Sequence, residues 1–197
     1  MASDVLPVRY INFGIDKDFF TYSPYDDTDI ILSLGNDIDR DYVTLFRAFD
    51  SVVRSRPTAR LIVQGHTPDM EFNDRRIEFL PKMSHLEVRE LYSRAAVVAV
   101  ATRDNCHGSG MTVCLEAMAS GRPVVVTDTL GMTDYVTNGV DGKLVPVGDH
   151  IGMAGAILDF LSQPDKSREA GQQGRRRVEL VNNTERMASA LASFISD

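Results

Sequence analysis

From Asp29 onward the chain alternates short β-branched apolar runs with longer stretches of helical period, and that alternation restricts it to few folds. A strand that returns through a helix lies parallel to the strand before it, so repeated βα units build a parallel sheet covered by helices. Residues 30–34, 60–63, 77–80, 96–101, 123–127 and 143–147 carry the strand pattern. Between the first two, Tyr42, Leu45, Phe46, Phe49, Val52 and Val53 recur at helical spacing, which predicts a helix over residues 40–53. Pro81 closes the third strand because it cannot donate to a ladder. Ser84 followed by Glu87 forms a capping box that opens the next helix. Residues 96–101 are apolar on both faces, as a central parallel strand must be. A helix over 111–119 stops at Gly121, and Asn138-Gly139 and Asp141-Gly142 mark the turns before the last strand. The remainder reads as helices over 151–161 and 165–180, then one after Asn183 or Thr184. The expected fold is α/β: a doubly wound, Rossmann-like parallel sheet with helices on both faces.

Residues 29–197 form one domain in this reading. Residues 1–28 hold one strand-like run, 8–12, and then a polar and aromatic stretch with Pro24 and several aspartates. They read as a linker arriving from a further N-terminal domain, so the chain is expected to be a piece of a longer protein. No apolar run approaches the roughly 20 residues of a membrane-spanning helix. The N-terminus lacks a basic and apolar leader, which gives a cytoplasmic expectation and leaves peripheral membrane contact open. A net charge of −7 argues against a nucleic-acid partner, whose phosphates are held by clustered Lys and Arg. The one basic run, Arg175-Arg176-Arg177, lies near Glu169 and Glu179 and reads as a solvated helix face. Cys106 and Cys114 match no zinc or CxxC spacing and are expected free, Cys114 as a small buried residue and Cys106 without a base partner.

Ligands of an open α/β sheet bind beyond the carboxyl ends of the strands. The loop 103–110 is such a place. Gly108, Ser109 and Gly110 let backbone approach a ligand closely, and the amides of Met111, Thr112 and Val113 are the free donors of a helix start, an arrangement suited to phosphate. The glycines serve equally as a plain turn. No Gly-Lys-Ser/Thr follows and the GxGxxG pattern is absent, so neither of those phosphate loops is present. Glu116 sits among apolar residues one turn into that helix, where a carboxylate needs a hydrogen-bond partner, either sugar hydroxyls or local backbone. His107 is a loop histidine that either donates to a bound anion or has no task; His66 is a weaker candidate and His85 reads as helix surface. Asp104 has no second carboxylate spaced to join it at a metal.

The run Gly110-Met111-Thr112-Val113-Cys114-Leu115-Glu116-Ala117-Met118-Ala119-Ser120-Gly121-Arg122-Pro123-Val124-Val125 resembles the donor-site signature of family 4 glycosyltransferases of the GT-B fold. Asn12-Phe13-Gly14-Ile15-Asp16 is similar to the segment leading into that family's C-terminal domain. Leu32-Ser33-Leu34-Gly35 resembles its first strand and turn, and Gly131-Met132-Thr133-Asp134-Tyr135-Val136 its late glycine turn. The resemblance implies one half of a GT-B fold and a retaining, metal-independent transfer of sugar from a nucleoside diphosphate sugar, with no cofactor. It implies that Glu116 binds ribose hydroxyls, that Gly35 and the segment from Gly108 to Val113 border the diphosphate, and that Arg40 holds its charge. The backbone around Lys82 and Met83 would meet the base. The acceptor would be read by the N-terminal domain, so this chain alone is expected to turn over little. Two departures stand out: many relatives carry a sugar-contacting glutamate where this chain has Gly108, and an arginine where it has Asn36. They leave a non-catalytic nucleotide-sugar-binding module, or a GT-B sugar epimerase, as alternatives.

Overall fold

A computed structural model describes residues 8–65 and 74–196. His66 lies outside the described residues. Six strands form one parallel sheet in the order β3-β2-β1-β4-β5-β6: β1 is Ile30–Leu34, β2 Arg60–Gln64, β3 Ile77–Leu80, β4 Val97–Val100, β5 Val124–Thr127 and β6 Gly142–Val145. β1 pairs with both β2 and β4, so the chain winds outward one way from β1 to β3, then returns and winds the other way from β4 to β6. The expected doubly wound sheet is therefore the observed one.

The helices are α1 (Tyr42–Ser55), α2 (His85–Arg94), α3 (Met111–Ala119), α4 (His150–Ser162), α5 (Pro164–Leu180) and α6 (Thr184–Ser196). The alternation of β4 sorts them into layers. Val97 and Ala99 face a core with Phe46, Phe49, Met153, Ile157 and Phe160 of α1 and α4. Val98 and Val100 face a second core with Leu91, Leu115, Met118 and Val178 of α2, α3 and α5. All four β4 residues are fully buried, which is why that strand reads as an unbroken apolar run.

Most helix ends follow their capping chemistry. Ser84 and Glu87 form the expected capping box. α1 starts at Tyr42 rather than Arg40, because the Asp41 carboxylate accepts from the Thr44 amide at 3.0 Å and so acts as N-cap. That leaves Arg40 in the loop, bridged to Thr102. A 3-10 turn at Met132–Asp134 was not anticipated; it follows Gly131, whose φ of +85° needs no side chain to be accommodated.

Two expectations need correction. Residues 8–14 form no strand; the Phe13 carbonyl accepts from Asn182 Nδ2 at 3.0 Å, and Ile15 bonds through its backbone to Asn182 and Thr184 beside the start of α6. The basic run on α5 is not a solvated face either. Arg175 donates through Nη1 to the carbonyls of Lys17, Phe20 and Ala119, and Arg177 pairs with the buried Asp141 at 2.6 Å. Only Arg176 of the three is exposed. A long side chain can cross a surface and find carbonyls that no sequence window reveals.

The segment before β1 is fastened by a second arginine. Arg122, fully buried between α3 and β5, donates to the carbonyls of Tyr92, Ser93, Ser23 and Pro24 at 2.9–3.1 Å, and its guanidinium lies 5.7 Å from the centre of the Tyr25 ring. Phe20 and Tyr25 are buried alongside. Among the described residues no helix is long and apolar enough to cross a membrane.

Candidate functional site

The winding reverses between β1 and β4, and a crevice necessarily opens at their carboxyl ends because their following loops diverge to opposite sides of the sheet. The two loops are residues 35–41, leading into α1, and 101–110, leading into α3. They carry Gly35, Arg40, His107, Gly108, Ser109 and Gly110, so the topology brings six of the sequence candidates to one place.

Arg40 lies on the crevice floor. Its side chain is buried, and its Nε and Nη1 have no hydrogen-bond partner among the described residues. Burial lowers the guanidinium's pKa, opposed by the nearby Cys114, Tyr42 and Asp37. The backbone closes around it at two glycines. A Cβ on Gly110 would meet Val100 at 2.5 Å and Arg40 Nη1 at 3.0 Å, and one on Gly35 would strike Arg40 Nη2. Both residues also hold φ near +90 to +101°, so glycine serves here for conformation and for close approach together.

Gly110 caps α3 in the left-handed conformation with no side-chain bond to the helix. The Met111 amide is taken by the Gly108 carbonyl at 3.0 Å, whereas those of Thr112 and Val113 have no acceptor among the described residues. Two of the three expected donors are thus free, with the positive end of the helix behind them. Ser109 is buried and its amide is held by Asn105 Oδ1 at 3.0 Å, a bond that fixes the glycine loop and that no spacing in the sequence announces.

His107 turns to the opposite loop. Its Nε2 lies 3.1 Å from Asp37 Oδ2 and its Nδ1 3.7 Å from Asp39 Oδ2. Asp37 Oδ1 accepts from the Asp39 amide. Burial would raise the Asp37 pKa, but the bonds from the Asp39 amide and His107 help to outweigh it and hold the carboxyl below its ordinary value. The ligand atoms of Asp37, Asp39 and His107 lie within 4.8 Å of one another. The two aspartates were not among the sequence candidates, because only the fold sets their loop against His107.

Glu116 is one turn along α3 and partly buried. Its Oε2 accepts from the Tyr92 hydroxyl at 2.9 Å, a side-chain partner rather than local backbone. Burial raises its pKa, while the Tyr92 bond and the charge of His85 lower it. His85 is exposed at the start of α2, edge-on to Phe19. Lys82 is exposed and Met83 partly buried on the loop after β3. Cys106 and Cys114 are both free, and burial pushes the Cys114 thiol up to about 12.

A six-stranded parallel sheet with a glycine-walled, arginine-floored crevice at its switch point is the architecture of one Rossmann-like half of a GT-B glycosyltransferase. The chain belongs to the glycosyl transferases group 1, whose family model matches residues 28–163. It is 26% identical over 181 residues to the putative glycosyltransferase EpsD of Bacillus subtilis, covering 86% of this chain and 46% of that protein. Against a D-inositol 3-phosphate glycosyltransferase of Gordonia bronchialis it is 32% identical over 142 residues, covering 71% of this chain and 29% of that one. The chain therefore spans less than half the length of these curated relatives. Among solved structures, Anabaena HepE in complex with UDP and glucose superposes with a TM-score of 0.78 at 17% identity, over 93% of this chain and 55% of HepE.

Proposed function

We propose that this chain is the donor-binding half of a retaining family 4 glycosyltransferase, lying C-terminal to an acceptor-binding domain outside the sequence given. The reading rests above all on Arg40: a buried guanidinium with two nitrogens unpartnered among the described residues, beside Gly110 at the start of the helix whose Thr112 and Val113 amides are free, needs an anion. A nucleoside diphosphate sugar supplies it. Its diphosphate lies between Gly35, Arg40 and the start of α3, its ribose hydroxyls on Glu116, and its base along the backbone at Lys82 and Met83. As the sugar bond breaks, charge grows on the leaving diphosphate, and Arg40 and the helix start stabilise it without reorganising. His107 borders the sugar side of the same crevice. The retaining course, the absence of any metal or cofactor requirement and a cytoplasmic site of action, at the membrane face or free of it, belong to the same proposal.

Gly108 supports a second reading, a nucleotide-sugar-binding module without transferase activity. Its φ of +68° is one that side chains rarely adopt, so the glutamate that many relatives carry there would be strained in this backbone. Turnover of a nucleoside diphosphate sugar by the full-length protein separates the two.

Ligand contact is tested at Glu116. Glu116→Gln is expected to weaken the nucleoside diphosphate by about 1.5–3 kcal/mol, roughly 10- to 100-fold, and to weaken its 2′-deoxy analogue less. Calorimetry with both ligands on both proteins gives the coupling energy. A coupling of zero removes Glu116 from the site.

A further inference from the structure

We infer that Tyr92 is a positioning residue for the ribose site: its hydroxyl fixes one oxygen of Glu116 and so sets the protein's preference for ribose over 2′-deoxyribose. This rests on the reading of Glu116 as the ribose contact.

Tyr92 is held at both ends. Its carbonyl accepts from Arg122 Nε at 2.9 Å, and Phe20 packs edge-on against its ring at 6.0 Å. The side chain is fully buried in the core between α2 and α3. Only the hydroxyl faces a polar partner, Glu116 Oε2 at 2.9 Å, with the Val113 carbonyl a more distant acceptor at 3.5 Å. Burial first, and Glu116 second, drive the phenol's pKa well above its ordinary value, so Tyr92 keeps its proton at every working pH and always donates.

That donation has two consequences at Glu116. The carboxylate cannot turn freely, because one oxygen is tied to a ring that is itself immobile, and Oε1 has no protein partner among the described residues. Tyr92 also opposes burial, which by itself raises the Glu116 pKa. A protonated Glu116 would present a hydroxyl donor where ribose hydroxyls need an acceptor. Binding should then fall as pH drops through the folded-state pKa of Glu116, and removing the Tyr92 hydroxyl should move that acid limb to higher pH.

The experiment uses Tyr92→Phe, which keeps the ring volume and the contact with Phe20. UDP, GDP and ADP are titrated by calorimetry into the wild-type chain, and the tightest is carried forward with its 2′-deoxy analogue across a pH series. Tyr92→Phe is expected to lose about five- to tenfold in affinity for the ribonucleotide and less for the deoxynucleotide, with the acid limb moved upward. In a Glu116→Ala background the same change should cost nothing further, because no side-chain acceptor remains to be oriented. A Tyr92→Phe chain with unaltered ribose preference and acid limb overturns the role of Tyr92 while leaving Glu116 in place. A wild-type chain that does not discriminate the two sugars overturns the reading of Glu116 itself. Should Tyr92→Phe fail to fold, Glu116→Gln carries the test: a wild-type acid limb that persists in this variant sinks the inference.

Discussion

Replacing Arg122 by alanine is expected to lower the unfolding free energy of this chain by about 2–5 kcal/mol, the loss of several hydrogen bonds made by one charged group. The guanidinium is fully buried and holds four carbonyls from two places: Ser23 and Pro24 before the first strand, and Tyr92 and Ser93 at the end of α2. Taking it away leaves a cavity beside those acceptors; the Tyr92 carbonyl keeps its bond from the Ala95 amide, and each group left unsatisfied costs about 1–3 kcal/mol unless water reaches it. Among the described residues no carboxylate is bonded to the guanidinium, so the effect is one of hydrogen bonding rather than ion pairing. Lysine should recover little, since one ammonium cannot span four carbonyls. Urea unfolding measures the change, and a loss below about 1 kcal/mol would mean that residues 20–25 are not fastened to the domain in solution.

Arg40 is expected to behave in the opposite sense. Burial penalises its charged form and two of its nitrogens lack partners, so Arg40→Met should leave stability unchanged or raise it by about 1–3 kcal/mol. The same substitution should weaken a nucleoside diphosphate by about 3 kcal/mol, roughly 100-fold, and leave the nucleoside unaffected, because only the diphosphate brings charge to the guanidinium. Gain of stability with loss of binding is the signature of a group kept for its ligand. Calorimetry against both ligands, with urea unfolding of the free protein, checks the two halves separately. Equal weakening of nucleoside and diphosphate would dismiss the role.

The contrast between these arginines could not be drawn from sequence. Arg122 follows Gly121 in a stretch matching the family's signature, yet nothing in that stretch says that its side chain enters the core. Arg40 was identified as a phosphate contact by resemblance, but its isolation depends on Gly35 and Gly110 closing over it from two strands that are not consecutive. Tyr92 left a fainter signal. A tyrosine on the buried face of a helix must bring its hydroxyl to a partner, and Val88, four residues earlier, marks that face. The partner's identity needed the packing of α2 on α3.

What the sequence determined by itself is local and periodic. Strand and helix positions followed from side-chain alternation and capping, because those forces act within a few residues: β1, β3 and α3 have the bounds that their apolar patterns implied. The parallel direction was legible too where a helix joins the strands, from β1 to β2, β3 to β4 and β4 to β5. The order of the strands was decided only in three dimensions, and with it the crevice between β1 and β4. Asp37 and Asp39 met His107 there, 70 and 68 positions away along the chain, because loop residues carry no periodic signal of their partners. The basic run on α5 shows the same limit: charge and neighbours suggested a solvated face, while the burial of Asp141 and the carbonyls of Lys17 and Phe20 turned Arg175 and Arg177 into internal ties.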